Sequence, residues 1–384
     1  MRRLLSDRRP DWQKTIEAQG LGFHGNVPQG EDGRPYWDES VYYAFTMPEI
    51  LELERVTEDL HGMCLEAVDH VITRERYADF RIADWLHEPI RQSWKRRDPH
   101  LFGRFDLCYD GAGHAKLLEY NADTPTSLVE SSVIQWHWKE DVHPACDQWN
   151  SLHEKLIDRW LHISAPGAGI HFAFTRDEEA GEDALNAAYM METAAQAGLP
   201  TRLLAIEDIG WDSGQRRFVD LQGQKIRRLF KLYPWEWLVT ESFAALAIER
   251  QARTPWVEPL WKMLLSNKAL LAVLWDMYPG HPNLLPAHLD GPRDLAAYVA
   301  KPLLGREGAS IRIVQASETT TMPGDYGAEG YVYQEFWPLP DFEGRRPVLG
   351  SWVIGDESAG LGIRETSGLI TGNTSSFVPH LIDS

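Results

Sequence analysis

The chain has 384 residues, 25% of them charged and 43% apolar, and its formal net charge is −19 at pH 7. This composition is typical of a globular protein, and the length is sufficient for two or three subdomains around a sizeable core. The acidic balance argues against nucleic acid as a partner, because binding to phosphates requires a basic face. A cationic or amine substrate is compatible with it.

Cysteine usage and hydropathy indicate the compartment. Cys64, Cys108 and Cys146 are few and widely spaced, which favours a reducing environment without structural disulfides. The N-terminal MRRLLSDRRP lacks the apolar centre of a secretory signal, and the apolar run ALLAVLW at 269–275 is too short to span a bilayer. The sequence therefore predicts a cytoplasmic protein that does not enter a membrane.

The first two elements predicted along the chain are a helix and a hairpin. Apolar residues recur at helical spacing through 48–72, which predicts a core helix. Segments 104–109 and 115–121 are rich in aromatic and aliphatic residues, and the DGAG between them suits a hairpin turn. A loop of two or four residues places Arg104 opposite Glu119. Because side chains alternate along a strand, Arg104, Asp106, Glu119 and Asn121 then share one face.

Two carboxylates and an amide beside one arginine predict a cation on this face of the hairpin. Without one, burying such a group would cost several kcal/mol. A set of oxygen ligands suits Mg²⁺ rather than Zn²⁺. An odd loop would split the four residues between the two faces, and a solvent-facing edge with an ordinary Arg–Glu pair is the alternative.

A polar loop follows the hairpin and leads into a predicted helix at 128–140. Ser127 and Glu130 have the spacing of a capping box. The free N–H groups at this helix start could receive an anionic substrate group, although a cap alone needs no ligand.

The middle of the chain has a strand–helix–strand pattern. GIHFAF at 169–174, a helix from Glu182 to Ala197 and TRLLAI at 201–206 predict a βαβ unit, and KIRRLFKLY at 225–233 adds a parallel strand. The acidic TRDEEAGED, including Glu178 and Glu179, lies at the start of the helix. Helix dipoles favour acidic residues there, and an amine-binding site is the functional alternative.

Two lysines mark the last third of the chain. Lys268 lies just inside a helix that Ser266 can cap, and Lys301 lies on a strand followed by a loop with Gly305 and Gly308. A glycine loop can cover phosphates while a lysine beneath it neutralises their charge; the alternative is a surface hairpin. The segment 348–367 predicts another hairpin, turned at GDESAG, with Arg364 on its return strand. The chain has no GxxxxGK[ST], HExxH or GxSxG motif.

These segments, in this order, resemble the synthetase domain of the glutathionylspermidine synthases and their stand-alone acid–amine ligase relatives, which are ATP-grasp enzymes. The resemblance extends from about residue 15 to the C-terminus. The matching segments are GRFD (103–106), LEYNADT (118–124), SNKALLAVLW (266–275), AKPLLGREGASI (300–311), VYQEFWPLP (332–340) and the strand with Arg364.

The resemblance implies an α/β or α+β protein with an ATP-grasp fold and an adjoining βαβ domain of the pre-ATP-grasp type. Residues 1–165 would form a helical region with the metal-binding hairpin, 166–260 the βαβ domain and 261–384 the nucleotide-binding region. In most ATP-grasp chains the metal-binding Glu-x-Asn follows the lysines. Here it precedes them, so the element order resembles a circular permutation.

The resemblance also implies roles for individual residues. Asp106, Glu119 and Asn121 match the magnesium ligands, and Arg104 matches the catalytic arginine that contacts phosphate. Thr124 and Thr126 stand where the family has glutathione-contacting serines, and Glu182 and Asp183 align with the acidic pair that holds the polyamine. The positions that match nucleotide-binding residues are Arg104, Phe105, Asp106, Lys268, Lys301, Gly308, Gln334 and Arg364.

The implied activity is an ATP-dependent carboxylate–amine ligase with ATP as co-substrate and two Mg²⁺ ions. Its partners would be a small, peptide-like acid and an amine or polyamine, joined through an acyl phosphate. One alternative is a catalytically inactive nucleotide-binding relative with a regulatory role. A metal-dependent amide hydrolase is the other, but it leaves the lysines and the glycine loop unexplained.

Overall fold

The structure is a computed structural model that describes residues 1–22, 33–165, 167–177, 181–250, 253–316, 318–372 and 375–383. Glu178 and Glu179 of the acidic stretch lie outside the described residues. The helices are α1 (Trp12–Ala18), α2 (Met47–Thr73), α3 (Asp84–Lys95), α4 (Gln135–Val142), α5 (Leu152–Ile163), α6 (Glu182–Gln196), α7 (Trp235–Leu238), α8 (Ala244–Arg250), α9 (Met263–Ser266) and α10 (Ala269–Met277).

The strands form several sheets, so the fold is mixed α/β. In the first half they are β1 (Arg2–Leu5), β2 (Val41–Phe45), β3 (Phe102–Cys108), β4 (Lys116–Asn121), β5 (Ile170–Phe174), β6 (Thr201–Ala205), β7 (Gly210–Asp212), β8 (Arg217–Val219) and β9 (Leu229–Leu232). In the second half they are β10 (Trp256–Val257), β11 (Ala287–His288), β12 (Ala297–Pro302), β13 (Arg312–Gln315), β14 (Glu318–Thr321), β15 (Tyr331–Glu335), β16 (Arg346–Ile354), β17 (Glu357–Thr366), β18 (Ser376–Val378) and β19 (His380–Ile382).

The predicted hairpin is β3–β4, and it belongs to an antiparallel sheet of order β18-β17-β16-β3-β4. This sheet joins the first and the last of the three predicted segments. The predicted pairing was wrong: Arg104 lies opposite Asn121, and Asp106 lies opposite Glu119. A bulge after Asp106 gives β4 one extra residue and shifts the register. Beyond the bulge the two strands keep the four polar residues together, so their common face is confirmed.

Two further sheets flank the site. The antiparallel sheet β11-β15-β12-β13-β14 contains Lys301 on β12 and Gln334 on β15. The sheet β10-β9-β5-β6 is parallel throughout, with α6 between β5 and β6, which confirms the βαβ unit. Gly198 follows the end of α6 at φ +78°, a conformation that glycine adopts at little cost.

Helix α2 is the predicted core helix, and its start has a complete capping box. Thr46 Oγ1 accepts from the Glu49 N–H, and the Glu49 carboxylate accepts from the Thr46 N–H. Its apolar face buries Ile50, Leu53 and Val56, each worth roughly 1.5–3 kcal/mol. In the part of the chain that the structure describes, no helix has the length and apolar character needed to cross a bilayer.

Several predicted local features were wrong. Ser127 does not cap the following helix, because its backbone is left-handed (φ +65°), and a π-helical turn over Glu130–Ile134 precedes α4. Ser266 donates to Lys262 O, while Asn267 Oδ1 accepts from the Ala269 N–H at the start of α10. The turn between β16 and β17 is only Gly355 and Asp356 rather than GDESAG. All three cysteines are free, as predicted.

Candidate active site

A cleft of about 800 Å³ lies where the hairpin sheet, the lysine-bearing sheet and the βαβ unit meet. Sequence positions far apart in the chain converge on it. Of the residues singled out from the sequence, those that line the cleft are Arg104, Asp106, Glu119, Asn121, Thr124, Thr126, Glu182, Asp183, Lys268, Gly308 and Arg364.

The hairpin face presents a connected polar network to this cleft. Arg104 Nε donates to Asp106 Oδ1 at 2.8 Å, and Arg104 Nη1 donates to Thr126 O at 2.7 Å. Asn121 Nδ2 lies 3.4 Å from Asp106 Oδ2 and 3.1 Å from Glu119 Oε1. Gly350 on the adjacent strand makes room for the arginine, because a Cβ there would lie 2.9 Å from Arg104 Cδ. The arginine is therefore held in place at the edge of the two carboxylates.

Two lysines lie on the Glu119 side of this network. Lys268 Nζ lies 3.2 Å from Glu119 Oε2 and donates to Gly305 O at 2.7 Å. Lys301 Nζ donates to Leu118 O and to Gln334 Oε1, both at 2.7 Å, so it contacts the hairpin directly. Lys301 thus lies against the strand that carries Glu119 and Asn121.

This charge pattern separates the ionisation of the two carboxylates. Burial alone would raise the pKa of Glu119, but the charges of Lys268 and Lys301 outweigh it and lower the pKa to about 2. Burial and the adjacent Glu119 raise the pKa of Asp106, against the effect of Arg104. Burial lowers the pKa of Lys301 to about 8. The face is rich in charge and poorly hydrated, which is typical of a site for charged ligands.

The donor set fits a magnesium ion. Asp106, Glu119 and Asn121 offer only oxygen ligands once the Asn121 amide is turned so that Oδ1 replaces Nδ2, an assignment that depends on the hydrogen-bond network. The amide nitrogen already lies between the two carboxylates, so the turn requires no movement of the backbone.

A smaller apolar cavity adjoins the cleft beneath the glycine loop. Asp106, Glu119 and Gly308 line both spaces, so the two are adjacent. Lys301, Gln334 and Glu335 are further polar residues of its lining. Its apolar walls are Val299, Ile311, Ile313, Phe336, Trp337 and Leu339. A flat ring with polar edges would match this lining.

Phe105 is the exception among the expected nucleotide-binding residues. Its side chain is fully buried and stacks on Tyr120 with ring centroids 3.9 Å apart. Because neighbouring side chains on β3 point to opposite faces, Arg104 and Asp106 face the cleft while Phe105 packs in the core. The side chain of Phe105 therefore faces away from the cleft, and only its backbone is on the side of a bound nucleotide.

The structure adds residues that the sequence did not single out. Arg306, on the glycine loop, donates to Thr124 Oγ1 at 3.0 Å and lies 5.4 Å from the centre of the Trp237 ring. Tyr36 donates to Glu130 Oε1 at 2.6 Å. The Trp237 and Tyr36 segments carry no motif, so only the contacts in the fold reveal them. The glycine loop did mark the neighbourhood of Arg306.

Glu130 is buried beside the cleft, and its Oε2 has no hydrogen-bond partner among the residues that the structure describes. Burial and the neighbouring Glu182 raise its pKa to about 7. This position replaces the predicted capping role, because the carboxyl group points to Tyr36 rather than to the backbone of Ser127.

We expect Glu130→Gln to stabilise the protein at pH 8 by up to about 3 kcal/mol and to have little effect at pH 4.5. The folded chain retains a proton on Glu130 that the unfolded chain loses above its ordinary pKa of 4.5. The free energy of unfolding therefore falls as pH rises from about 4.5 to about 7. Urea denaturation across this range measures it, with the exposed Glu88→Gln as control. Equal pH dependence in wild type and Glu130→Gln would contradict the assignment.

Comparisons with known proteins show the family of the chain. The family model described as glutathionylspermidine synthase preATP-grasp matches residues 3–383. The Haemophilus influenzae protein named "Putative acid--amine ligase" is 43% identical, and the match covers 97% of each chain. Trypanothione synthetase of Crithidia fasciculata is 32% identical, and that match covers 83% of this chain and 53% of the relative.

A solved structure also resembles this fold. The apo structure of a glutathione synthetase-like effector from Globodera pallida superposes with a TM-score of 0.57 and 11% identity, covering 98% of each chain. At this identity the likeness concerns the fold alone, which is of the glutathione synthetase type.

Proposed function

Because the chain belongs to the glutathionylspermidine synthase preATP-grasp family, we propose that it is an ATP-dependent, ADP-forming ligase that joins a carboxylic acid to an amine. The observation that carries this proposal is the convergence of six polar residues on the cleft and the cavity beside it: Arg104, Asp106, Glu119, Asn121, Lys268 and Lys301. Acidic oxygen ligands beside several cations suit a metal-bound polyphosphate, and a simple cation site would not need the lysines.

ATP is proposed to bind between the glycine loop and the hairpin, in an ATP-grasp fold of permuted order. Its base would occupy the apolar cavity against Gln334 and Lys301, and its phosphates would extend towards Lys268 and Arg104. Arg364 lines the far side of the cleft and donates to Gly372 O at 2.5 Å. It would act there as a further phosphate-binding group.

Asp106, Glu119 and Asn121 would hold Mg²⁺, two ions in all, which supply charge neutralisation for the terminal phosphates. Arg104 donates to the equatorial phosphoryl oxygens as negative charge develops in the transition state. The carboxylate of the acid attacks the γ-phosphorus, and ADP leaves. The amine then attacks the acyl carbon, phosphate leaves, and the amine loses one proton to give the amide.

The two organic substrates would approach from sides of opposite character. Glu182 and Asp183 line one end of the cleft and would attract a cationic amine or polyamine. Thr124 and Thr126 line the part nearest Arg104 and Arg306, which would receive the anionic acid. Nucleic acid and membranes are not proposed as partners, and the free cysteines suit a cytoplasmic location.

Coupled release of ADP tests the proposed function. Purified protein with ATP and Mg²⁺ should release ADP only when both an acid and an amine are present, in a 1:1 ratio to a new amide detected by mass spectrometry. Binding of ATP without any formation of ADP would favour the inactive regulatory relative. Amide cleavage without ATP would favour the hydrolase. Arg55→Lys, which changes an exposed arginine of α2, should behave as wild type.

We expect glutathione with spermidine to be a poor substrate pair, with kcat/KM below about 10⁴ M⁻¹s⁻¹. Thr124 and Thr126 add methyl groups where the family has serines, and Pro125 stiffens the loop and has no N–H. Thr124 Oγ1 also accepts a hydrogen bond from Arg306, and this contact narrows the part of the cleft that would receive the acid. Steady-state kinetics with a panel of short peptides measures this preference. Glutathione used as efficiently as the best acid in the panel would contradict it.

A further inference from the structure

Three side chains with metal-binding atoms meet behind the hairpin sheet, outside the cleft. They are His61 on α2, His100 just before β3 and Asp356 in the turn between β16 and β17. Asp356 Oδ1 lies 3.2 Å from His61 Nε2 and 3.2 Å from His100 Nε2. The three candidate ligand atoms lie within 4.8 Å of one another. In the sequence, Asp356 belongs to the GDESAG turn segment and to no motif.

We propose that His61, His100 and Asp356 bind a divalent transition metal of the zinc class, at a site separate from the nucleotide cleft. Two donor atoms 3.2 Å apart can both lie about 2.1 Å from one ion, at an angle of about 100°, which is close to tetrahedral. Two imidazoles and one carboxylate favour zinc, cobalt or nickel over magnesium, which prefers oxygen ligands alone.

The two histidines are held with their Nε2 atoms directed at the same point. His61 Nδ1 lies 3.1 Å from the hydroxyl of Tyr120, which fixes the orientation of its ring. The ring of His100 packs edge-on against Trp261 at 5.4 Å, and Arg159 Nη2 donates to His100 O at 2.7 Å. Only Asp356 is largely exposed, with 63% of its side chain accessible. An ion could therefore enter from solvent and keep a water molecule as its fourth ligand.

The surrounding charges permit a dication. Lys262 and Arg159 are the basic residues whose charges act on His61. Lys262 is neutralised by Glu258, whose Oε2 lies 2.8 Å away, and Arg159 is directed at the carbonyl of His100. Asp356 supplies a negative charge at the cluster itself.

Metal binding here would join three separate segments of the chain. The ion would connect α2, the entry to β3 and the turn of the β16–β17 hairpin. Through His61 it would also fix Tyr120, the residue of β4 between Glu119 and Asn121. The proposed role is structural: the ion would cross-link segments on the face of the hairpin sheet that is opposite the cleft. This role does not depend on what the cleft binds.

Zinc titration of chelator-treated protein tests the site by calorimetry, with elemental analysis of the dialysed complex. We expect one zinc ion per chain at the cluster, with affinity lowered about 100-fold or more in Asp356→Asn and in His100→Gln. Glu357→Gln changes the neighbouring carboxylate, on the first residue of β17, and should bind zinc as wild type does. Circular dichroism of each variant establishes that it is folded. Because the side chain of Asp356 is largely exposed, Asp356→Asn should leave the core intact.

Cobalt distinguishes this site from the cysteines and the cleft. Bound Co²⁺ should show visible d–d bands without the near-ultraviolet band of a thiolate ligand, and both Cys146→Ser and Glu119→Gln should retain the visible bands. Equal zinc affinity in wild type, Asp356→Asn and His100→Gln would overturn the proposal. Hydrogen bonds from the two imidazoles to one carboxylate would then account for the cluster.

Discussion

Arg104→Lys is expected to lower kcat for ATP-dependent amide formation by about 1,000-fold while KM for ATP changes much less. A guanidinium can donate to Asp106 and to Thr126 O while directing further N–H groups into the cleft. Lysine has a single point charge and cannot replace that fork. The loss should fall on the transition state, where charge develops on the transferred phosphoryl group.

Rapid-quench measurement of ADP formation isolates this step, with Arg55→Lys as the matched control on an exposed helix face. Gly350→Ala provides a second variant, because its new Cβ would lie 2.9 Å from Arg104 Cδ and displace the arginine without changing its chemistry. Arg104→Lys and Gly350→Ala should both have a lower kcat, and Arg55→Lys should not. Unchanged kcat in folded Arg104→Lys would refute the catalytic role.

Glu119→Ala should reduce ATP turnover by at least about 1,000-fold in a protein that remains folded. The variant removes one oxygen ligand and leaves Lys268 without the carboxylate that lies 3.2 Å away. The magnesium concentration needed for half-maximal binding of ATP should also rise, which a purely structural role of Glu119 would not produce. Glu52→Ala, which removes an exposed carboxylate on α2, is the control. ADP production at the wild-type rate would refute the assignment.

Alternation along the strands predicted the common face of the hairpin for a loop of even length, because a strand has a period of two residues whatever surrounds it. They did not predict the pairing of Arg104 with Asn121, because the bulge after Asp106 adds a residue to β4 and shifts the register. The βαβ unit was predictable for a similar reason: its strands and helix are close in sequence and have the expected periods.

Residues whose environment is formed by distant parts of the chain were not predictable. Glu130 had the spacing of a cap, but the left-handed backbone at Ser127 and the hydroxyl of Tyr36 give it a different environment. Asp356 was interpreted as a turn residue, which it is, yet His61 and His100 approach it from positions more than 250 residues away in the chain. Such clusters can be recognised only when the long-range packing of the chain is known.

The hairpin sheet has a consequence for the order in which the protein is made. Strand β3 pairs with β16, Leu107 lying opposite Leu349, and β17 and β18 extend the sheet further. During synthesis the hairpin leaves the ribosome long before its neighbouring strand exists, so one edge of β3 waits unpaired. The nascent chain therefore cannot bind nucleotide at the proposed site until nearly all of it has emerged. Pairing of β3 with β16 closes a loop of more than 200 residues, so we expect slow folding. We also expect the chain to need chaperones until β16 has been made.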